Sequence, residues 1–130
     1  MKTQKPFSFH ERRRSFRHAF RGLRLFFKIE HNARIHLALG ICAMLVSFWL
    51  RIGRDRFCIV ILTIAIVWAA EALNTVLEIL VNMVSTDYSE AAKLAKDVGA
   101  AAVLIASLAA AAVGAILLWP AFVEKISLLL

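Results

Sequence analysis

Three long apolar stretches, separated by short charged segments, dominate the pattern of residues along the chain. They cover residues 33–52, 57–84 and 97–120. Each has at least the roughly 20 residues that a helix needs to cross the hydrocarbon core of a bilayer. The third stretch is rich in Ala and Gly, small residues that let helix backbones approach each other closely. The pattern therefore predicts three membrane-spanning helices.

The segment before the first span has a different periodicity. Between residues 10 and 29, apolar side chains recur at steps of three and four residues, and basic side chains occupy the opposite face. The apolar face contains Phe16, Ala19, Phe20, Leu23, Phe26 and Phe27, and the basic face contains Arg17, Arg21, Arg24 and Lys28. This pattern predicts an amphipathic helix on the membrane surface. The alternative is a surface helix that packs on a soluble partner.

Together these elements predict an all-α integral membrane fold, in which an N-terminal amphipathic surface helix precedes three transmembrane helices. We expect residues 1–130 to form a single membrane-embedded domain. Composition agrees, because 61% of the 130 residues are hydrophobic, 19% are charged and the mean hydropathy is +0.72. A soluble domain of this size could not bury so many apolar residues in one core.

The net charge of +7 is concentrated between Lys2 and Arg34, directly before the first span. A basic block in that position is typical of the cytoplasmic side of a membrane and of contact with anionic lipids. We therefore expect no nucleic-acid partner and a cytoplasmic N-terminus. The same topology predicts a cytoplasmic loop over residues 85–97.

Polar residues interrupt the second apolar stretch at regular intervals. Glu71, Asn74 and Glu78 follow an i, i+3, i+7 spacing and share one helix face with Asn82. Carboxylates at membrane depth are costly unless they face a polar interior, a partner or a metal. Two of them on one face can divide the work of phosphoryl transfer, one holding a divalent cation and the other accepting a proton from a hydroxyl. Alternatively, both acids only pair with basic residues of a neighbouring helix.

Further charged residues flank the spans on the predicted cytoplasmic side. Glu30 interrupts the basic region just before the first span, where its spacing alone favours a surface ion pair over a ligand. Lys96 and Asp97 could bind phosphate, although Asp97 could equally cap the third helix. The sequence contains no Gly-rich Walker loop, which excludes a phosphate cradle of that type.

Two segments resemble the signatures of the small prokaryotic diacylglycerol kinase and undecaprenol kinase family. Residues 71–78, EALNTVLE, resemble the first signature, and residues 95–103, AKDVGAAAV, resemble the second. The likeness in order and spacing extends from about Phe16 to Trp119. It implies a homotrimer in the bacterial inner membrane, with composite active sites near the cytoplasmic interface. It also implies that ATP, with Mg²⁺ as cofactor, phosphorylates the hydroxyl of a membrane lipid alcohol.

The resemblance further implies roles for individual residues. Glu71 would be the catalytic base that takes the proton of the lipid hydroxyl, with Asn74 in support, and Glu30 and Glu78 would bind Mg²⁺. The implied ATP-binding residues are Glu30, Glu78, Asp87, Tyr88, Ser89, Lys96 and Asp97. The chain departs from the usual family pattern at three positions, where His18, Asn82 and Ala100 stand in place of Tyr, Asp and Ser.

The identity of the lipid depends on fewer residues. The segment 30–36, EHNARIH, looks more like the undecaprenol kinase branch and so favours undecaprenol over diacylglycerol. Its two histidines, His31 and His36, could equally lie at the headgroup boundary. Two other functions are compatible with an intramembrane Glu: a small proton-coupled multidrug transporter and a structural scaffold. ATP-dependent labelling of lipid distinguishes a kinase from both.

Overall fold

The computed structural model of the protein describes residues 8–84 and 89–128. These residues form four helices: α1 (Phe9–Ile29), α2 (His31–Leu50), α3 (Arg54–Val84) and α4 (Glu90–Ser127). The last three are each long and apolar enough to cross a membrane. The predicted fold class, an N-terminal amphipathic helix followed by three long apolar helices, is therefore confirmed.

α1 joins the rest of the molecule through its C-terminal end. Glu30 adopts an extended backbone conformation, with φ −92° and ψ 119°, so a single residue separates α1 from α2. Phe26 is the residue of α1 that is buried, and the neighbouring Phe27 ring meets Trp68 of α3 edge-on, with 5.5 Å between ring centroids. The basic face of α1 stays exposed, as an amphipathic surface helix requires.

Small residues allow α2 to pack closely against α3. Three buried positions of α2 recur every seven residues, a spacing that keeps one face of a helix toward its neighbour. They are Ala33, Gly40 and Ser47. A Cβ atom built on Gly40 would lie 3.0 Å from the side chain of Ile64, tighter than an ordinary contact. The absence of a side chain at Gly40 therefore sets how closely the two helices approach.

α4 begins earlier than the sequence predicts. The expected loop over residues 85–97 is helical from Glu90 onward. Ser89 caps the helix by accepting a hydrogen bond from the backbone N–H of Ala92 at 3.5 Å. Asp97 therefore lies seven residues inside α4, and the alternative that it caps this helix is wrong.

The C-terminal ends of α2 and α4 are joined by a basic and aromatic contact. The Nζ of Lys125 donates a hydrogen bond to the carbonyl oxygen of Trp49 and lies 4.4 Å from the centroid of its ring. Phe122 also packs near Trp49, with 6.4 Å between ring centroids. This contact stabilises the end of the bundle that lies away from Glu30.

Candidate active site

Glu71 is the buried charged group around which the site is organised. It lies near the middle of α3 and only 2% of its surface is exposed. Its carboxylate interacts electrostatically with His36, Glu30 and Glu78, and it is within hydrogen-bonding reach of the Asn32 side chain. We call these five residues the Glu71 cluster. The beginning of α2 thus supplies the polar surroundings that a buried carboxylate needs inside an apolar helix.

Asn74 connects the Glu71 cluster to α4. Its Nδ2 donates a hydrogen bond to Oε1 of Glu78 at 3.2 Å, one helical turn away. Its Oδ1 is buried and has no hydrogen-bond partner among the described residues. A Cβ atom built on Gly99 of α4 would collide with this oxygen. The backbone of α4 therefore lies directly against Asn74, and this approach depends on Gly at position 99.

A second contact between α3 and α4 fixes Lys96. Its Nζ donates a hydrogen bond to Oδ1 of Asn82 at 2.7 Å. Lys96 is half-buried, whereas Asn82 is exposed. Because Asn82 is uncharged, the lysine is held here by a neutral amide. Its positive charge is not neutralised by this partner.

The remaining site residues predicted from the sequence are not among the residues of the Glu71 cluster. Ser89 uses its side chain to cap α4, and Asp97 is exposed on that helix. Asp87 and Tyr88, predicted as ATP-binding residues, lie outside the described residues. The structure thus brings Glu30, Glu71 and Glu78 together.

Asn32 and His36 belong to the site but were not identified from the sequence as neighbours of Glu71. From the sequence, His36 fits the headgroup boundary as readily as a substrate role, and Asn32 has no predicted role. Their i, i+4 spacing was a usable signal, because it puts two polar side chains on one face at the start of an apolar helix. That face turns toward Glu71.

The donor set around Glu71 suits a hard divalent cation. The two carboxylates predicted as ligands, Glu30 and Glu78, offer oxygen atoms, which Mg²⁺ prefers. Within residues 8–84 and 89–128 there is no group of three or more His, Cys, Asp or Glu side chains that could hold a metal ion. One or two protein carboxylates nevertheless suffice for Mg²⁺ when substrate phosphates and water supply the other ligands.

Comparison with known proteins identifies the family. The family model described as prokaryotic diacylglycerol kinase matches residues 17–118. A diacylglycerol kinase of Synechocystis is 39% identical over 107 residues, which are 82% of this chain and 61% of that protein. The chain therefore aligns with less than two thirds of this relative's length.

Two further relatives are matched over most of their length. A diacylglycerol kinase of Escherichia coli K12 is 31% identical over 105 residues, 81% of this chain and 86% of that protein. An undecaprenol kinase of Bacillus subtilis is 28% identical over 107 residues, 82% of this chain and 87% of that protein. The resemblance noted in the sequence is thus confirmed, and the chain belongs to the prokaryotic diacylglycerol kinase family of multi-pass membrane lipid kinases.

Proposed function

We propose that the protein transfers the γ-phosphate of ATP to the hydroxyl of a membrane lipid alcohol, giving the lipid phosphate. The observation that carries this proposal is the Glu71 cluster, in which the buried carboxylate of Glu71 in α3 lies with two other acids beside the start of α2. The family assignment supports it, because relatives are named diacylglycerol kinase and undecaprenol kinase.

In this proposal Glu71 acts as the general base. A lipid hydroxyl beside it loses its proton to the carboxylate as the oxygen attacks the γ-phosphorus, and the ADP oxygen leaves on the opposite side. His36 and Asn32 hold the carboxylate in place on the α2 side. Burial of Glu71 keeps water away from the reacting hydroxyl, which disfavours transfer of phosphate to water.

Glu30 and Glu78 are the proposed ligands of Mg²⁺. Bound there with ATP, Mg²⁺ would supply positive charge that offsets the charge of the phosphates. Asn74 orients Glu78 through their hydrogen bond. Lys96, held by Asn82, presents a positive charge suited to the phosphates of ATP. We further propose that Asp87, Tyr88, Ser89 and Asp97 complete the nucleotide site.

The basic residues of α1 support a cytoplasmic N-terminus, which puts the start of α2, the end of α3 and the start of α4 on the side where ATP is found. We propose the bacterial inner membrane as the location and a homotrimer as the assembly. The described part of a single chain buries few residues in α2, α3 and α4, so many apolar side chains are available to contact lipid or other copies.

The lipid is either a diacylglycerol or undecaprenol. Residues 30–36 favour undecaprenol by their resemblance to that branch. The comparison gives higher identity to proteins named diacylglycerol kinase, at 39% and 31%, than to the undecaprenol kinase, at 28%. These two indications point in opposite directions, so the assay must offer both lipids.

The test is transfer of labelled γ-phosphate by purified protein in mixed micelles that contain diacylglycerol or undecaprenol. We expect labelled lipid phosphate in at least one case, dependent on Mg²⁺, from a complex whose native mass equals three chains plus bound detergent. Folded protein that labels neither lipid contradicts the kinase proposal and favours the proton-coupled transporter. A mass equal to one or two chains contradicts the trimer alone.

A further inference from the structure

Five basic residues form a single line along α1. They follow one another at alternating steps of three and four residues, which return to the same face of a helix. We call them the basic stripe: Arg14, Arg17, Arg21, Arg24 and Lys28. All five side chains are exposed. At the rise of an α-helix, the stripe is about 21 Å long.

The basic stripe has no counter-charge within the described part of the chain. Across residues 8–84 and 89–128, none of its five side chains forms an ion pair. Glu11 is the acidic residue of α1, and it comes before the stripe begins. Like charges three and four residues apart on a helix repel each other and destabilise it. An anionic surface outside the chain would relieve this repulsion.

The opposite face of α1 indicates what kind of surface this is. It carries the exposed side chains of Phe16, Phe20 and Leu23, and it continues to Phe27, which packs against Trp68. A partner that covers α1 must therefore meet cations on one side and apolar groups on the other. The headgroup boundary of an anionic bilayer does both, because phosphates meet the cations and the acyl region takes the rings. A nucleic acid would pair with the cations and leave the rings in water.

α1 is attached to the spans at its C-terminal end, close to the Glu71 cluster. Phe26, in its last turn, is the buried residue of α1. The backbone N–H of Glu30 donates a hydrogen bond to the carbonyl oxygen of Phe26 at 2.9 Å. Glu30 is also the single residue between α1 and α2. A tilt of α1 about this end therefore carries Glu30 with it.

Glu30 is the acid of the Glu71 cluster that regular structure restrains least. Glu71 and Glu78 lie within α3, whereas Glu30 lies between two helices and is half-buried. The three carboxylates are within electrostatic range of one another at Glu71, and like charges repel. This repulsion favours movement of Glu30 away from the cluster unless α1 is held in place.

We propose that the basic stripe of α1 binds the phosphates of an anionic phospholipid bilayer and that this contact holds Glu30 in the Glu71 cluster, so that the negative charge of the membrane increases the rate of phosphate transfer. The effect on rate rests on the proposed lipid kinase function, whereas the docking of α1 does not. A force on the stripe acts on Glu30 with a long lever arm, because the stripe extends about 21 Å from the attached end of the helix.

The test uses the full chain reconstituted in vesicles of phosphatidylcholine, either alone or with roughly a third of the lipid replaced by phosphatidylglycerol. Hydrogen exchange of the backbone amides of residues 26–30 reports the attached end of α1 without any need for activity. We expect this exchange to be roughly tenfold slower on the anionic vesicles, and kcat for lipid phosphorylation to be roughly three- to tenfold higher. Raising the salt to about 1 M, where the Debye length is about 3 Å, should reduce both differences.

Two variants assign the effect to the stripe. Arg14→Gln, Arg17→Gln, Arg21→Gln together remove three charges from the stripe, and Gln retains good helix propensity. This variant should show the same exchange and the same kcat on both kinds of vesicle. The matched control is Arg51→Gln, Arg54→Gln, Arg56→Gln, which removes three exposed arginines near the opposite end of the spans. It should respond to anionic lipid as the unmodified protein does.

Equal exchange of residues 26–30 on both kinds of vesicle overturns the docking, and it is the result expected if a second copy of the chain holds α1. Slower exchange without a rise in kcat overturns the link to Glu30. A stripe variant that responds like the unmodified protein overturns the role of the stripe. If no lipid is phosphorylated on any vesicle, the kinase proposal fails, and the exchange measurement alone decides on the docking.

Discussion

Glu71 has 2% of its surface exposed in the middle of an apolar helix, and its polar neighbours come from three separate positions on the chain. Glu30 lies at the junction of α1 and α2, Asn32 and His36 lie in the first turns of α2, and Glu78 lies two turns further along α3. A carboxylate surrounded in this way is positioned by the fold rather than by its own helix alone. A small shift of α2 against α3 would therefore alter the proposed base directly.

The hydrogen bond between Asn82 and Lys96 gives a prediction about nucleotide affinity. Asn82→Ala removes the acceptor that holds the lysine at 2.7 Å, so we expect KM for ATP to rise roughly three- to tenfold with a smaller change in kcat. Asn82→Asp keeps an acceptor at the same place and should stay within about twofold of the unmodified protein.

Steady-state kinetics at varied ATP concentration and saturating lipid separate these two variants. An unchanged KM in Asn82→Ala would show that the hydrogen bond does not position Lys96 for the nucleotide. Equal impairment in Asn82→Asp would show that the neutral amide itself, and not the contact, is required.

The residues of the site could be predicted to different degrees. The 3- and 4-residue spacing of Glu71, Asn74 and Glu78 was sufficient to put them on one face, because a helix fixes that geometry. The proximity of Asn32 and His36 to Glu71 could not be read from periodicity, since it depends on how far α2 slides along α3. The contact of Gly99 with Asn74 depends on helix packing in the same way.

The apolar pattern predicts which helices form, but it does not predict where α4 begins. The three apolar stretches were sufficient to identify α2, α3 and α4, because length and hydropathy alone define a candidate span. The beginning of α4 was misplaced because Glu90, Lys93 and Lys96 give its first turns the composition of a loop. A helix that extends beyond the hydrocarbon carries charges in its first turns without ceasing to be a helix, and Ser89 is the capping residue that marks its start.

The close approach of α4 to α3 predicts a loss of activity in Gly99→Ala. The added Cβ would collide with Oδ1 of Asn74, which moves α4 away or rotates the amide and breaks its hydrogen bond to Glu78. We expect kcat to fall roughly tenfold or more. The loss cannot be attributed to a weaker helix, because Ala is a better helix former than Gly by about 1 kcal/mol.

Gly22→Ala is the matched control for this prediction. Gly22 lies inside α1, and nothing lies within 4 Å of a Cβ atom built there. The same substitution should therefore leave kcat unchanged within about twofold. Normal activity of Gly99→Ala in the lipid phosphorylation assay would show that the contact with Asn74 does not support the site.

A single chain contains all five residues of the Glu71 cluster but buries little of its own apolar surface. The cluster is assembled from the α1–α2 junction, α2 and α3 of the same copy. Many large apolar side chains of α2, α3 and α4 are exposed on the isolated chain, including Leu45, Ile66 and Ile105. Sequence periodicity could predict which residues are apolar, but the number of copies depends on how these faces fit together, which no local pattern encodes.

The most direct test of the assignment of Glu71 as the base is phosphate transfer by Glu71→Gln. The amide keeps the size of the side chain and removes its ability to take a proton, so we expect kcat to fall by roughly a hundredfold or more with ATP binding retained. The matched control is Glu124→Gln, the same change at an exposed position near the end of α4. The predicted result is a fall in kcat of roughly a hundredfold or more in Glu71→Gln with normal turnover in Glu124→Gln. Turnover of Glu71→Gln equal to that of the unmodified protein would contradict the assignment.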